Sequence, residues 1–213
     1  MNCYNLIDTT VKILMYLILR FGHSMVPSSF SSKSRSRSET VLHMSEQFFN
    51  PATLKSKGFV DGLLRGMAEQ GSQLWDSSFI EDLRNHMFES SKGRGGLDLV
   101  AINIQRGRDH GLPGYNKYKE ICTGEKAGDF NDLRKVMDAN TIEKLKSVYT
   151  SVDDIDLYVG GFLETAHGDS ILGPVFKCII GDQFARLKKG DRFFYDLNVD
   201  SNIAFSLQQL DEV

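Results

Sequence analysis

The sequence predicts a mainly α-helical chain with long loops and little strand. Three observations point there. Apolar residues recur at three- and four-residue spacing near 79–87, 142–149 and 171–184. Helix start and stop signals flank these stretches, among them Pro174 at one beginning and Lys188, Lys189 and Gly190 at one end. Between them lie polar or glycine-rich segments, at 28–39 and 92–96, that read as connections.

From the N-terminus, residues 11–19 read VKILMYLIL. That run falls short of the roughly 20 apolar residues a bilayer span needs. Asp8 precedes it and Arg20-Phe21-Gly22-His23 follows, without a small-residue cleavage site. It is therefore expected to belong to a buried helix over 11–26 that Pro27 stops, and no clear export signal or membrane span is expected. Residues 28–39, SSFSSKSRSRSE, read as a solvated surface loop. A helix is expected over 76–88, capped by Ser77 or Ser78, with Phe79, Leu83 and Met87 on one face and the glycines of 92–96 ending it. Another begins near Asn140, which with Glu143 resembles a capping box ahead of Ile142, Leu145, Val148 and Tyr149. The last runs over about 171–188, with Pro174 in its first turn and Ile171, Val175, Ile179 and Phe184 facing the core. The tail after Tyr195 has no terminating feature and reads as part of a longer domain.

Composition narrows the class. A hydrophobic fraction of 41%, a charged fraction of 25% and a net charge of −3 are ordinary for a globular chain. They exclude a disordered, collagen-like or strongly basic nucleic-acid-binding chain. Cys3, Cys122 and Cys178 are too few for a disulfide scaffold, and composition leaves their pairing open. The five histidines show no metal-ligand spacing and there is no CxxC, which argues against zinc. No phosphate-binding GxxxxGK[ST] and no GxSxG nucleophile elbow occurs.

Two constellations carry chemistry. His23 follows the apolar run, with Leu19 and Val26 on its face. It reads either as a hydrogen-bonded core residue or as an imidazole aimed at a buried apolar cofactor such as haem. Residues 101–116 read AINIQRGRDHGLPGYN, a polar block directly after an apolar segment. Arg106, Arg108, Asp109 and His110 either lock two helices through an arginine–aspartate network or offer an arginine to an anionic ligand group.

Three segments resemble the animal haem peroxidase superfamily. They are Arg20-Phe21-Gly22-His23-Ser24, residues 97–122 (LDLVAINIQRGRDHGLPGYNKYKEIC), and residues 173–195 (GPVFKCIIGDQFARLKKGDRFFY) preceded by DLYVGG at 156–161. They occur in the family's order and cover most of 20–195, so residues 1–213 read as the C-terminal part of one catalytic domain with an atypical 1–19. The resemblance implies haem b as cofactor, with His23 as the proximal ligand of the iron. It implies that Asn103 accepts a hydrogen bond from that histidine's other nitrogen and so orients it. Arg106 matches an arginine beside a haem propionate, and His110 a structural residue. Cys122 and Cys178 match a pair that forms a disulfide, and Cys3 has no counterpart.

The same resemblance implies a secreted enzyme that reduces hydrogen peroxide while oxidising a small donor or protein tyrosine. No nucleic-acid partner is implied. In the family the distal histidine, its arginine partner and a calcium-binding loop lie upstream of the proximal motif. Only 22 residues precede His23, and they do not resemble those elements. Two alternatives therefore stand beside the enzyme: a haem-binding or interaction fragment without turnover, and a helical domain that binds no haem.

Overall fold

A computed structural model describes residues 20–89, 95–166, 168–191, 194–196 and 205–212. The apolar run at 11–19, Cys3 and His167 lie outside the described residues. The part of the expected first helix that is described, Phe21–Met25, is a short 3-10 helix, and the chain is extended from Val26 onward.

Residues 28–39 are not a solvated loop throughout. Ser29–Lys33 (β1) pairs antiparallel with Glu39–His43 (β2), Ser31 opposite Val41. The two strands form a hairpin, and the Ser/Arg composition that signals solvation applies only to the connecting turn at 34–38. There the Ser34 hydroxyl accepts the Ser38 amide. A short helix Met44–Gln47 (α1) follows, then Phe59–Glu69 (α2), which lies on β1. Gly66 permits that approach: a Cβ there would sit 1.7 Å from the Ser31 carbonyl oxygen. The Gln70 side chain completes the edge, accepting from the Ser31 amide at 3.0 Å and donating to the Ser29 carbonyl at 2.8 Å.

The helix expected over 76–88 is reduced to Glu81–Arg84 (α3). Asp76 draws the Ser78 amide into a local turn, and Met87 bridges to Leu97 instead of continuing the helix. The expected apolar face survives without the helix, since Leu83 and Met87 are buried and Phe79 packs on the core.

The remaining helices pack on one another. Leu99–Asp109 (α4) starts at Asp98, whose carboxylate accepts the Val100 and Ala101 amides. Tyr115–Thr123 (α5), Ala139–Val148 (α6), Leu157–Leu163 (α7) and Pro174–Gly190 (α8) follow, and Leu207–Asp211 (α9) lies in the tail. The cap of α6 is Asp138 rather than Asn140. In α8 the buried stripe is Val175, Phe176, Ile179, Ile180 and Gln183. Ile171 precedes the helix, and both it and Phe184 are more than half exposed, so the stripe is turned by about one position from the expected one.

The core is made by Tyr115, Leu133, Ile142, Ile155, Tyr158, Val175 and Phe176, all essentially inaccessible to solvent. Gly160 lets α7 approach α5, because a Cβ there would lie 2.2 Å from the Tyr115 ring. Glu164, buried at the end of α7, accepts from the Tyr115 hydroxyl and the Val175 amide, both at 2.7 Å. It thereby satisfies the N-terminal turn of α8. Cys122 and Cys178 form a disulfide that ties α5 to α8. Among the described residues, no helix is long and apolar enough to cross a membrane.

Candidate functional site

The site forms where the first segment meets the helical core. Phe21–Met25 brings His23 to the side of α4, against Asn103, eighty positions further along the chain. Asn103 is fully buried on α4, one of a few polar side chains in the interior. Its amide is saturated by partners from three segments. Nδ2 faces His23 Nδ1 at 2.8 Å and donates to the Tyr158 hydroxyl at 3.2 Å, while Oδ1 accepts from Arg20 Nη1 at 3.0 Å. The Tyr158 hydroxyl in turn donates to the Arg20 carbonyl at 3.3 Å. The shared hydrogen bonds of a buried polar network of this kind restrain its ring and its amide.

The network fixes the chemistry of the imidazole. Burial, reinforced by the Arg20 guanidinium, lowers the His23 pKa to about 4. The ring is therefore neutral at physiological pH, the form that can bind a metal. One detail differs from the sequence expectation. The amide nitrogen of Asn103, a donor, faces His23, so Nδ1 is the acceptor and the ring proton belongs on Nε2. A half-turn of the amide would present Oδ1 to Nδ1 and free Nε2, at the expense of the bond from Arg20. The His23 ring is half-buried and lies against α4.

The structure separates the roles of the clustered residues 106–110. Arg108 makes two hydrogen bonds to Asp156, at 2.9 and 2.7 Å, locking α4 to the start of α7. Asp156 also accepts from the Tyr149 hydroxyl, and these donors, opposing burial, hold its carboxyl below the usual range. Arg106, one turn beyond Asn103 on α4, is exposed, and its side chain has no hydrogen bond or ion pair among the described residues. Its guanidinium is available to an anion. His110 caps the end of α4, its Nδ1 2.7 Å from the Arg106 carbonyl. His86 sits with Glu89 at 2.6 Å. Among the described residues, no group of three or more His, Cys, Asp or Glu is placed to hold a metal ion.

Arg20 and Tyr158 belong to the network, although nothing in the sequence singled them out from their motifs. Arg20 had a readable signal, three positions before His23 and on the same turn. Tyr158 had none, because only the packing of α7 against α4 brings its hydroxyl to Asn103.

The family profile for animal haem peroxidase matches residues 7–213. Chorion peroxidase from Drosophila melanogaster is 40% identical over 196 residues, covering 91% of this chain and 24% of that protein. Lactoperoxidase from Mesocricetus auratus is 33% identical over 197 residues, covering 89% of this chain and 28% of that protein. Among solved structures, peroxidase A from Dictyostelium discoideum superposes with a TM-score of 0.73 and 36% identity, covering 90% of this chain and 35% of that one. A fatty acid alpha-dioxygenase from Oryza sativa shares the fold, with a TM-score of 0.62 at 19% identity, covering 87% of this chain and 31% of that one. The fold is thus that of a haem-peroxidase-like helical chain, and this protein belongs to the animal haem peroxidase family. It spans about a quarter of the length of chorion peroxidase and lactoperoxidase.

Proposed function

We propose that this chain forms the proximal side of a haem peroxidase centre. The observation that carries the reading is the 2.8 Å contact between His23 and Asn103, which joins two separate motif segments into one oriented, neutral imidazole. With the Asn103 amide turned by that half-turn, the residues present fit the proximal demands of haem b: a neutral imidazole whose Nε2 is then free for iron, a buried amide beside it, and a cation for a propionate.

In this reading His23 binds the iron through Nε2. Asn103 turns its oxygen to Nδ1, takes the proton there in a hydrogen bond, and holds the ring plane. Arg20 and Tyr158 limit how far that amide can move. Arg106 pairs with a propionate from its exposed position, a geometry suited to a guanidinium and a carboxylate. When bound, haem supplies the redox iron that reduces hydrogen peroxide and draws electrons from a small donor or a protein tyrosine. The Cys122–Cys178 disulfide supports an oxidising, extracellular setting.

The test is haem reconstitution followed by absorption spectroscopy. The chain is expected to give a Soret band with imidazole ligation, and His23→Ala to lose that ligation signature. An unchanged spectrum in His23→Ala would remove the assignment. Turnover of a phenol by the loaded chain, compared with free haem at equal concentration, then separates an enzyme from a haem-binding fragment.

A further inference from the structure

Beyond the proximal contacts lies a chain of aromatic rings that the haem reading does not use. The Tyr158 hydroxyl touches Asn103. The Tyr158 ring is 5.1 Å from that of Phe162, and Phe162 stacks on Trp75, 5.1 Å between centroids and 25° between planes. Trp75 returns to the site by a second route, its Nε1–H donating at 3.1 Å to the carbonyl of Phe21, two residues before His23. On its other side Trp75 is partly exposed and, with Asp76 and Asp138, lines a cleft of about 570 Å³.

Resting on the haem reading, we propose that Trp75 is an electron relay: it passes single electrons from donors bound in this cleft to the oxidised haem. The donors it fits are neutral or cationic electron-rich aromatics, such as aromatic amines. The electron count closes in two steps. The Trp75 indole surrenders one electron to the peroxide-oxidised haem and keeps its Nε1 proton. A donor in the cleft then returns one electron to the indole and leaves as its own radical.

Three features favour Trp75 over its neighbours as the resting place of the electron hole. Phe162 has no polar handle and is hard to oxidise, so it serves as a bridge. Tyr158 loses an electron readily only if its proton leaves too, and its hydroxyl hydrogen points at the Arg20 carbonyl, a poor proton acceptor. Burial also pushes its phenol well above the ordinary value. Trp75 needs no proton acceptor, and the cation it becomes is stabilised by the Phe21 carbonyl and by the nearby carboxylates. Asp138 is held ionised by its hydrogen bonds to Thr141. The same carboxylates would repel an anionic donor.

The chain has a single tryptophan, so the radical has one address. The haem-loaded chain is treated with a peracid, whose better leaving group relies less on a distal acid–base pair. It is then frozen for electron paramagnetic resonance. A tryptophanyl signal is expected, and Trp75→Phe should lose it while keeping its Soret band. A nitroso spin trap should add at residue 75, located by peptide mass spectrometry, and tetramethylbenzidine should shorten the life of the signal. A tyrosyl signal alone, or a signal unchanged in Trp75→Phe, overturns the relay and leaves the haem reading standing. The absence of any Soret band overturns both.

Discussion

Residues 97–190 bury their apolar side chains against one another, whereas residues 20–89 turn many of theirs outward. Every member of the central apolar cluster lies between Tyr115 and Ile180. In the earlier region Leu54, Leu64 and Met67 are more than half exposed and Phe49 is 81% exposed. There the hairpin, α2 and the segment after α1 enclose an apolar groove of about 620 Å³, lined by Phe30, Leu42 and Leu63 among others. The candidate site draws on both regions. Asn103 and Tyr158 stand in the closed core, and His23 comes from the open side. The position of the imidazole is therefore set by the rigid partner, through an asparagine fully buried on α4.

The comparison can be broken first by core substitutions. Phe176→Ala should cost about 3–5 kcal/mol, the usual range for emptying a packed aromatic site. Met67→Ala, on the exposed face of α2, should change stability by less than about 0.5 kcal/mol. Urea denaturation followed by circular dichroism reads both. Equal losses would show that the two regions fold as one packed unit.

The disulfide gives the next largest effect. Cys122 and Cys178 are separated by 56 positions. By loop-closure entropy, replacing both with serine should cost about 4 kcal/mol at most. Amide hydrogen exchange should rise in α5 and α8 while the β1–β2 pairing keeps its protection. Uniform loss across both regions would erase the boundary.

The smallest effect is the pH response of the seam. The folded pKa of His23, about 4, lies below the ordinary value of 6.5. Between these limits the unfolded chain binds the proton and the folded chain does not. Stability should therefore fall as pH drops from about 6.5 to about 4, with a slope of at most about 1.4 kcal/mol per pH unit for one group. His23→Gln should flatten that window in a series of denaturation curves. An equal slope in the variant would mean the ring is solvated when folded. Haem loading should likewise persist below pH 6.5, since the folded imidazole stays neutral there.

Much of this protein was legible before its fold. Local signals placed α8, with Pro174 at its start and Gly190 at its end, because a helix terminus is set by the few residues that carry the unpaired backbone groups. They also placed α6 to within a residue or two. The family segments marked His23, Asn103 and Arg106, and the first two do meet. The hairpin at 29–43 was not legible, because its strands, from Lys33 paired with Glu39 out to Ser29 paired with His43, lie in and beside a stretch whose composition speaks only of solvent. The helix expected at 76–88 failed for a related reason: the periodicity marked which side chains are buried, and Asp76 and the Met87–Leu97 bridge decided the backbone.

The sequence by itself marked where chemistry could lie: a histidine after an apolar run, a polar block at 101–116, and, through the family segments, Asn103 and Arg106. Only the tertiary structure decided that Arg20, His23, Asn103 and Tyr158 share one hydrogen-bonded network, which face of the asparagine amide the histidine meets, and that Trp75 stacks toward it through Phe162. Residue type and helical period are properties of neighbours along the chain. Contact between residues 23, 103 and 158 is a property of how whole helices pack, and no local pattern encodes it.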